Sequence, residues 1–108
     1  MGVTIGNLKA YKKVYEIDHG EQVVFFKFGA EWCIPCVELD KVLVNVENSV
    51  IYHVCIDNED FESFFIENNI YTVPDTIIKY KNVACRFQGL KNKDQIDEII
   101  DNLKKNNH

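Results

Sequence analysis

The sequence predicts an α/β domain built on a mixed central sheet of four to five strands, with helices on both faces. Three observations predict it. QVVFFKF, residues 22–28, is an apolar run broken by one charge, the pattern of a strand buried on both faces. Segments with helical spacing alternate with such runs, and strand–helix–strand units close as right-handed parallel crossovers. Near the end, two short strand-like segments are joined by Lys81 and Asn82 alone, short enough for a hairpin and therefore for antiparallel pairing.

Taken in order, a first strand is expected near residues 3–5. NLKAYKKVYEI (7–17) then places Leu8, Tyr11 and Tyr15 at helical spacing, with Asn7 as N-cap. After the 22–28 strand, IPCVELDKVLVNVE (34–47) carries Leu39, Val42, Leu43 and Val46 on one stripe and reads as a helix, with Pro35 in its first turn, where a missing N–H is harmless. VIYHVCI (50–56) is a strand. DFESFFIEN (60–68) is a short helix with Phe61, Phe64 and Phe65 on one side, stopped by Asn68 and Asn69. DTIIKY (75–80) and VACRFQ (83–88) form the hairpin, and KDQIDEIIDNLKK (93–105) closes the chain as a helix with Ile96, Ile99, Ile100 and Leu103 facing inward.

The 108 residues suit one domain, 1–108. A chain of this size buries roughly two-thirds of its unfolded surface, enough for a core without staples. A formal net charge of -5 disfavours nucleic acid, whose phosphates call for a basic face. No segment approaches the roughly 20 apolar residues of a membrane span. The start lacks the apolar centre of a secretory signal, and Gly6 stands where the acylation pattern opened by Met1 and Gly2 wants Ser or Thr. The expected compartment is cytoplasmic and reducing, where a Cys-x-x-Cys pair is more often catalytic or metal-binding than structural.

That pair is Cys33-Ile34-Pro35-Cys36, between the buried strand and a helix. Helix N-termini present free N–H groups and a positive dipole end, which favour a thiolate at Cys33. One helical turn brings the two sulfurs close enough to cycle between dithiol and disulfide, and Pro35 stiffens the turn. The competing reading is half of a zinc site, which needs about four ligands. Cys55, Cys85 and His53 are available, but they lie on expected strands without a second close pair.

AEWCIPC resembles the active-site stretch of the thioredoxin family, and the element order around it matches that family's fold. Tyr71-Thr72-Val73-Pro74, just before a strand, resembles the family's second mark, a cis proline that faces the dithiol. Gly89 sits near the family's glycine after the last strand. The resemblance implies a protein disulfide oxidoreductase. Cys33 attacks a client disulfide, and Cys36 resolves the mixed disulfide. Trp32, Ile34, Pro35, Val73 and Pro74 contact the client chain. No organic cofactor is implied beyond the redox-active Cys33–Cys36 disulfide, and metal is not expected. The implied partners are disulfide-containing clients and a thioredoxin reductase drawing on NADPH, with glutathione the lesser source. The protein is expected as a monomer. A binding or scaffold module with weak turnover, and an oxidant or isomerase, are the alternatives. Phe25, Phe26 and Phe28 are read as core only.

The departures from the family pattern are informative. Lys27 stands where a buried Asp is usual. Charged, it would stabilise thiolates; neutral, it would accept the proton of Cys36; otherwise it reaches the surface or pairs with a carboxylate such as Asp57 or Glu38. His53 stands where a lysine is common, so Lys27 and His53 form either a reworked pair or a lysine beside a packed strand histidine. Gly29 replaces a Trp, which opens space beside the site; Ile34 replaces a Gly, and Lys41 a proline. Asp75 replaces a Thr, and is either a solvated strand start or a selector of basic client segments that disfavours the thiolate. Cys55 and Cys85 are expected as buried, inert thiols.

Overall fold

The computed structural model describes residues 2–107; Met1, where the acylation pattern begins, and His108 lie outside the described residues. The elements follow as β1 (Gly2–Thr4), α1 (Leu8–Glu16), β2 (Val23–Gly29), α2 (Ile34–Leu43), β3 (Ser49–Cys55), a 3-10 turn (Glu59–Phe61), α3 (Glu62–Glu67), β4 (Asp75–Tyr80), β5 (Val83–Gln88) and α4 (Lys93–Lys105). The sheet order is β1-β3-β2-β4-β5. β1 and β2 run parallel to β3, whereas β4 is antiparallel to β2 and β5 to β4. This is the mixed sheet the sequence predicts, in its five-strand form. Among the described residues no helix is long and apolar enough to cross a membrane.

Every residue of β2 is buried, as expected for a central strand covered on both faces. Its side chains divide by the two-residue strand period. Val23 and Phe25 point into a core with Leu39 and Leu43 of α2, Ile51, Ile78 and the inner stripe of α4. Val24, Phe26 and Phe28 point the other way, against Tyr11 of α1, Val54, Phe61 and Phe65. The second core is aromatic: Tyr11 meets Phe26 edge-on at 5.1 Å, and Phe61 stacks on Phe65 at 5.7 Å.

Local chemistry sets the ends. The Asn7 side chain accepts from the Ala10 N–H at 2.8 Å, and Asn92 and Gln95 form a reciprocal capping box at α4. Two boundaries differ from the sequence reading. α2 stops at Leu43 instead of continuing to residue 47. The N–H groups of Asn45 and Val46 bond three residues back, to Val42 and Leu43, while the Asn45 side chain takes the Lys41 carbonyl. A run rich in β-branched Val and in Asn favours such turns over a continued helix. α3 begins at Glu62 because the Asn58 side chain captures the Asp60 N–H at 3.0 Å and tightens the preceding turn.

Leu39 is fully buried between α2 and the sheet. Leu39→Ala is expected to cost about 2–5 kcal/mol, lowering the urea midpoint with an unchanged slope.

Candidate active site

β2 delivers the chain to the site, and α2 opens it. Cys33 is the N-cap of α2, and its Sγ accepts the Cys36 N–H at 3.2 Å. An N–H group that would otherwise lack a helical partner therefore points at the sulfur, which favours negative charge there. Cys33 and Cys36 are joined as a disulfide, with Cα atoms 5.2 Å apart. Ile34 and Pro35 form the first turn between them. Cys33 and Cys36 are both buried, at 5% and 1% exposed, with Cys36 the deeper, whereas Ile34 is 75% exposed and Trp32 68%. The Trp32 indole N–H donates to Asp57 Oδ2 at 3.0 Å, which lays an aromatic surface beside the disulfide.

Lys27 does not reach the surface; it pairs with a carboxylate, as one alternative expects, but the carboxylate is that of Asp40 and not of Asp57 or Glu38. It is 5% exposed, and its Nζ lies 2.5 Å from Asp40 Oδ1 and 3.4 Å from the Cys36 carbonyl oxygen. Asp57 is taken by Trp32, and Glu38 pairs with Lys41. Asp40 stands four residues after Cys36, on the same side of α2, which is why its carboxylate meets the sheet directly below Cys36. His53 is the register partner of Lys27 on β3, and its Nδ1 lies 3.9 Å from the same Asp40 oxygen. Lys27, Asp40 and His53 thus lie together in one cluster. Burial, and then the Lys27 charge, hold His53 below its ordinary pKa, while Asp40 pulls the other way.

Gly29 lets its neighbours close in, and the room a side chain would take there is filled by them. A Cβ there would lie 3.1 Å from Cys36 Sγ and 3.3 Å from Lys27 Cε, tighter than ordinary contact. A cleft of about 510 Å³ opens beside it, lined among others by Trp32, Cys36, Asp40, His53 and Cys55. A Cβ at Gly2 would collide with the His53 ring, so this glycine makes room for the imidazole.

The Val73–Pro74 peptide bond is cis, as the resemblance implies. Asp75 pairs with Phe28 in the antiparallel register, so Pro74 falls beside Gly29, at the end of β2 where the disulfide sits. Pro74 is buried, Val73 half-buried, and the Pro74 carbonyl accepts the Gly89 N–H at 2.8 Å.

Three expectations need correction. Asp75 is neither solvated nor turned toward a client. It is 0% exposed, and Arg86 grips both its oxygens, Nε to Oδ1 at 2.8 Å and Nη2 to Oδ2 at 2.5 Å. By the strand alternation it shares the face of Phe28, on the α3 side of the sheet, whereas Lys27 lies on the α2 side. Cys55 is exposed, because β3 ends there at the rim of the Gly29 cleft. Cys85 is half-buried instead of sealed, and burial still pushes its thiol pKa up. Among the described residues no three His, Cys, Asp or Glu side chains are placed to hold a metal ion.

Sequence reasoning missed Asp40 and Arg86. The signal for Asp40 was present as an acid one turn beyond Cys36 on a helix whose inner stripe meets a strand lysine. Arg86 carried no such signal, since nothing local distinguishes it from any outward strand cation.

No protein-family model matches the chain, and no curated protein matches it in sequence. Solved structures do. Chloroplastic thioredoxin z superposes with a TM-score of 0.75 at 19% identity, over 97% of this chain and 96% of that one. Thioredoxin from Trypanosoma brucei brucei gives 0.74 at 14% identity, over 98% and 93%. Thioredoxin O1 from Arabidopsis thaliana, in its oxidised state, gives 0.73 at 20% identity, over 94% and 96%. The chain has the thioredoxin fold.

Two predictions follow the cluster around Lys27. Lys27→Met leaves the Asp40 carboxylate facing Cys36 and is expected to raise the Cys36 thiol pKa in the reduced protein; Asp40→Asn leaves the lysine unopposed and is expected to lower it. The pH profile of alkylation reads both, and two unmoved profiles would refute the assignment. His53 bears on stability. Its folded pKa lies below the unfolded value of about 6.5, so the stability it supports is complete above that pH and is lost as pH falls through the folded value. His19 shares the sign, lowered chiefly by burial and then by Lys79. His53→Gln should therefore lessen, without abolishing, the fall in urea midpoint between pH 7.5 and pH 5.

Proposed function

We propose that the chain is a thiol–disulfide oxidoreductase that reduces disulfides of client proteins. The observation that carries this reading is the placement of Cys33 at the N-cap of α2, its sulfur on the Cys36 N–H and its disulfide partner one turn away. In the reduced protein the Cys33 thiolate attacks a client disulfide. One client sulfur leaves as a thiolate, and the other becomes bonded to Cys33. Cys36, deprotonated, then attacks Cys33 Sγ, which releases the second client thiolate and restores the Cys33–Cys36 disulfide. The client gains two electrons and the protein loses them.

The residues around the pair fit this sequence. Trp32 and Ile34 offer exposed apolar surface to a client segment, Pro35 continues it, and the half-buried Val73 and buried Pro74 form its floor. The proton of Cys36 has a nearby destination in the Lys27–Asp40–His53 cluster, which opens to solvent through the Gly29 cleft. The electrons for the next cycle come from outside the chain. A thioredoxin reductase drawing on NADPH is the proposed source, with glutathione second, and a monomer in a reducing, cytoplasmic setting is the form in which the cycle runs.

The test uses a disulfide-bonded model client with dithiothreitol as reductant. Cys33→Ser should abolish catalysed reduction, and pre-reduced Cys36→Ser, freed of dithiothreitol before it meets the client, should accumulate a one-to-one mixed disulfide that added thiol releases. No acceleration by the wild-type protein, or no trapped complex, would sink the proposal in favour of a binding module. The direction is set by potential: a value near the roughly -270 mV of thioredoxin supports a reductant, and one near about -180 mV or above supports an oxidant or isomerase.

A further inference from the structure

Both ends of one irregular segment converge on a single guanidinium. Arg86 holds the two oxygens of Asp75, the first residue of β4, while its Nη1 donates to the Asn68 carbonyl at 2.6 Å and its Nη2 to the Asn69 carbonyl at 2.9 Å. Asn68 is the C-cap of α3, and Asn69 has a positive φ of 57°. The carbonyls that a helix leaves free at its C-terminus are thus taken by a cation, which also suits the dipole. Gln88 adds a contact to Asp75 Oδ2 at 3.3 Å. Between the two anchored ends run residues 70–74, which carry the exposed Tyr71 and end in Val73 and Pro74 beside the disulfide.

We infer that Arg86 is a positioning residue for this loop: it fixes the distance from the end of α3 to the start of β4, and so holds Val73 and Pro74 against the Cys33–Cys36 pair. The inference rests on the proposed reading that clients dock on that edge. The geometry is specific to arginine. A planar fork with five N–H donors can meet a carboxylate on two points and two carbonyls at once, whereas an ammonium supplies one point charge. Internal ties of the loop are few: Ile70 is buried and bonds the Phe65 carbonyl, but the Tyr71 hydroxyl contacts stretch to 3.4 Å and 3.5 Å. Without the guanidinium the segment keeps Ile70 in the aromatic core and the Gly89 N–H on the Pro74 carbonyl, but it loses the tie between the end of α3 and Asp75.

The test compares the wild-type chain with Arg86→Lys, which keeps a charge for Asp75 but cannot bridge. Two readouts are needed. Amide hydrogen exchange at Ile70 and at Gly89, whose N–H bonds Pro74, should accelerate about tenfold or more while α1 and α4 stay protected. In client reduction, KM for a protein disulfide should rise about tenfold with kcat little changed, while reaction with a small aromatic disulfide stays within about twofold. Unchanged exchange at both amides, or equal losses on protein and small disulfides, would overturn the inference. If Arg86→Lys does not fold, Asp75→Asn with Arg86→Gln removes both charges and is read in the same way. Should the wild-type chain reduce neither substrate, the functional proposal fails, and the exchange result alone decides whether Arg86 holds the loop.

Discussion

A lysine ammonium lies in the middle of a strand in which all seven residues are buried, and it has to be paired. Asp40 pairs it, and the consequences run outward from that contact. The carboxylate comes from α2, one turn past Cys36, so the pair limits how α2 can rotate about its axis. The direction in which the inner cysteine faces is set by the same rotation. Breaking a buried pair by removing one partner costs about 3–5 kcal/mol. Asp40 is partly open to solvent, so the cost is expected to be greater when the aspartate is removed than when the lysine is. The register extends the polar row across the sheet, from Thr4 through His53 and Lys27 to Thr76, whose hydroxyl has no partner among the described residues.

On the other face of the sheet, Asp75 and Arg86 solve the same problem with the opposite buried sign. A carboxylate with no exposure is gripped by a guanidinium that also collects two helix-end carbonyls. The two pairs flank the end of β2 where the disulfide sits. Apolar contact is non-directional, and the two aliphatic and aromatic cores would tolerate small rotations of α2 or shifts of the 70–74 loop. Charge-assisted hydrogen bonds have direction and length, so they define positions that the cores leave soft.

This arrangement also distributes electrostatic roles around the cysteines. Lys27 and Asp40 largely cancel each other as seen from Cys36. The Asp75 charge is matched on the far face. The stabilisation of a Cys33 thiolate therefore falls mainly to the free N–H groups and the dipole at the start of α2. Within the Lys27–Asp40 and Asp75–Arg86 pairs charge meets opposite charge, so a change to one member of a pair alters the field at the dithiol more than the removal of both.

Much of this was legible in the residues alone. The apolar run of β2, the helical stripes and the short link at Lys81 and Asn82 determined an α/β class with a mixed sheet, because burial on one or two faces writes its period into the chain. The cysteine spacing with Pro35 determined a turn that can close a disulfide, and the motif before β4 marked the cis proline. What the tertiary structure decided is who meets whom. Lys27 required a counter-charge without naming it, and Asp40 is 13 positions away, on another element. Asp75 and Arg86 are separated by 11 positions and a hairpin, and the carbonyls of Asn68 and Asn69 join them only in space. The exposure of Cys55 likewise follows from where β3 stops. Periodicity reports which face of a segment is buried; the partner of a buried charge depends on helix rotation, strand register and side-chain reach, which exist only once the elements are assembled.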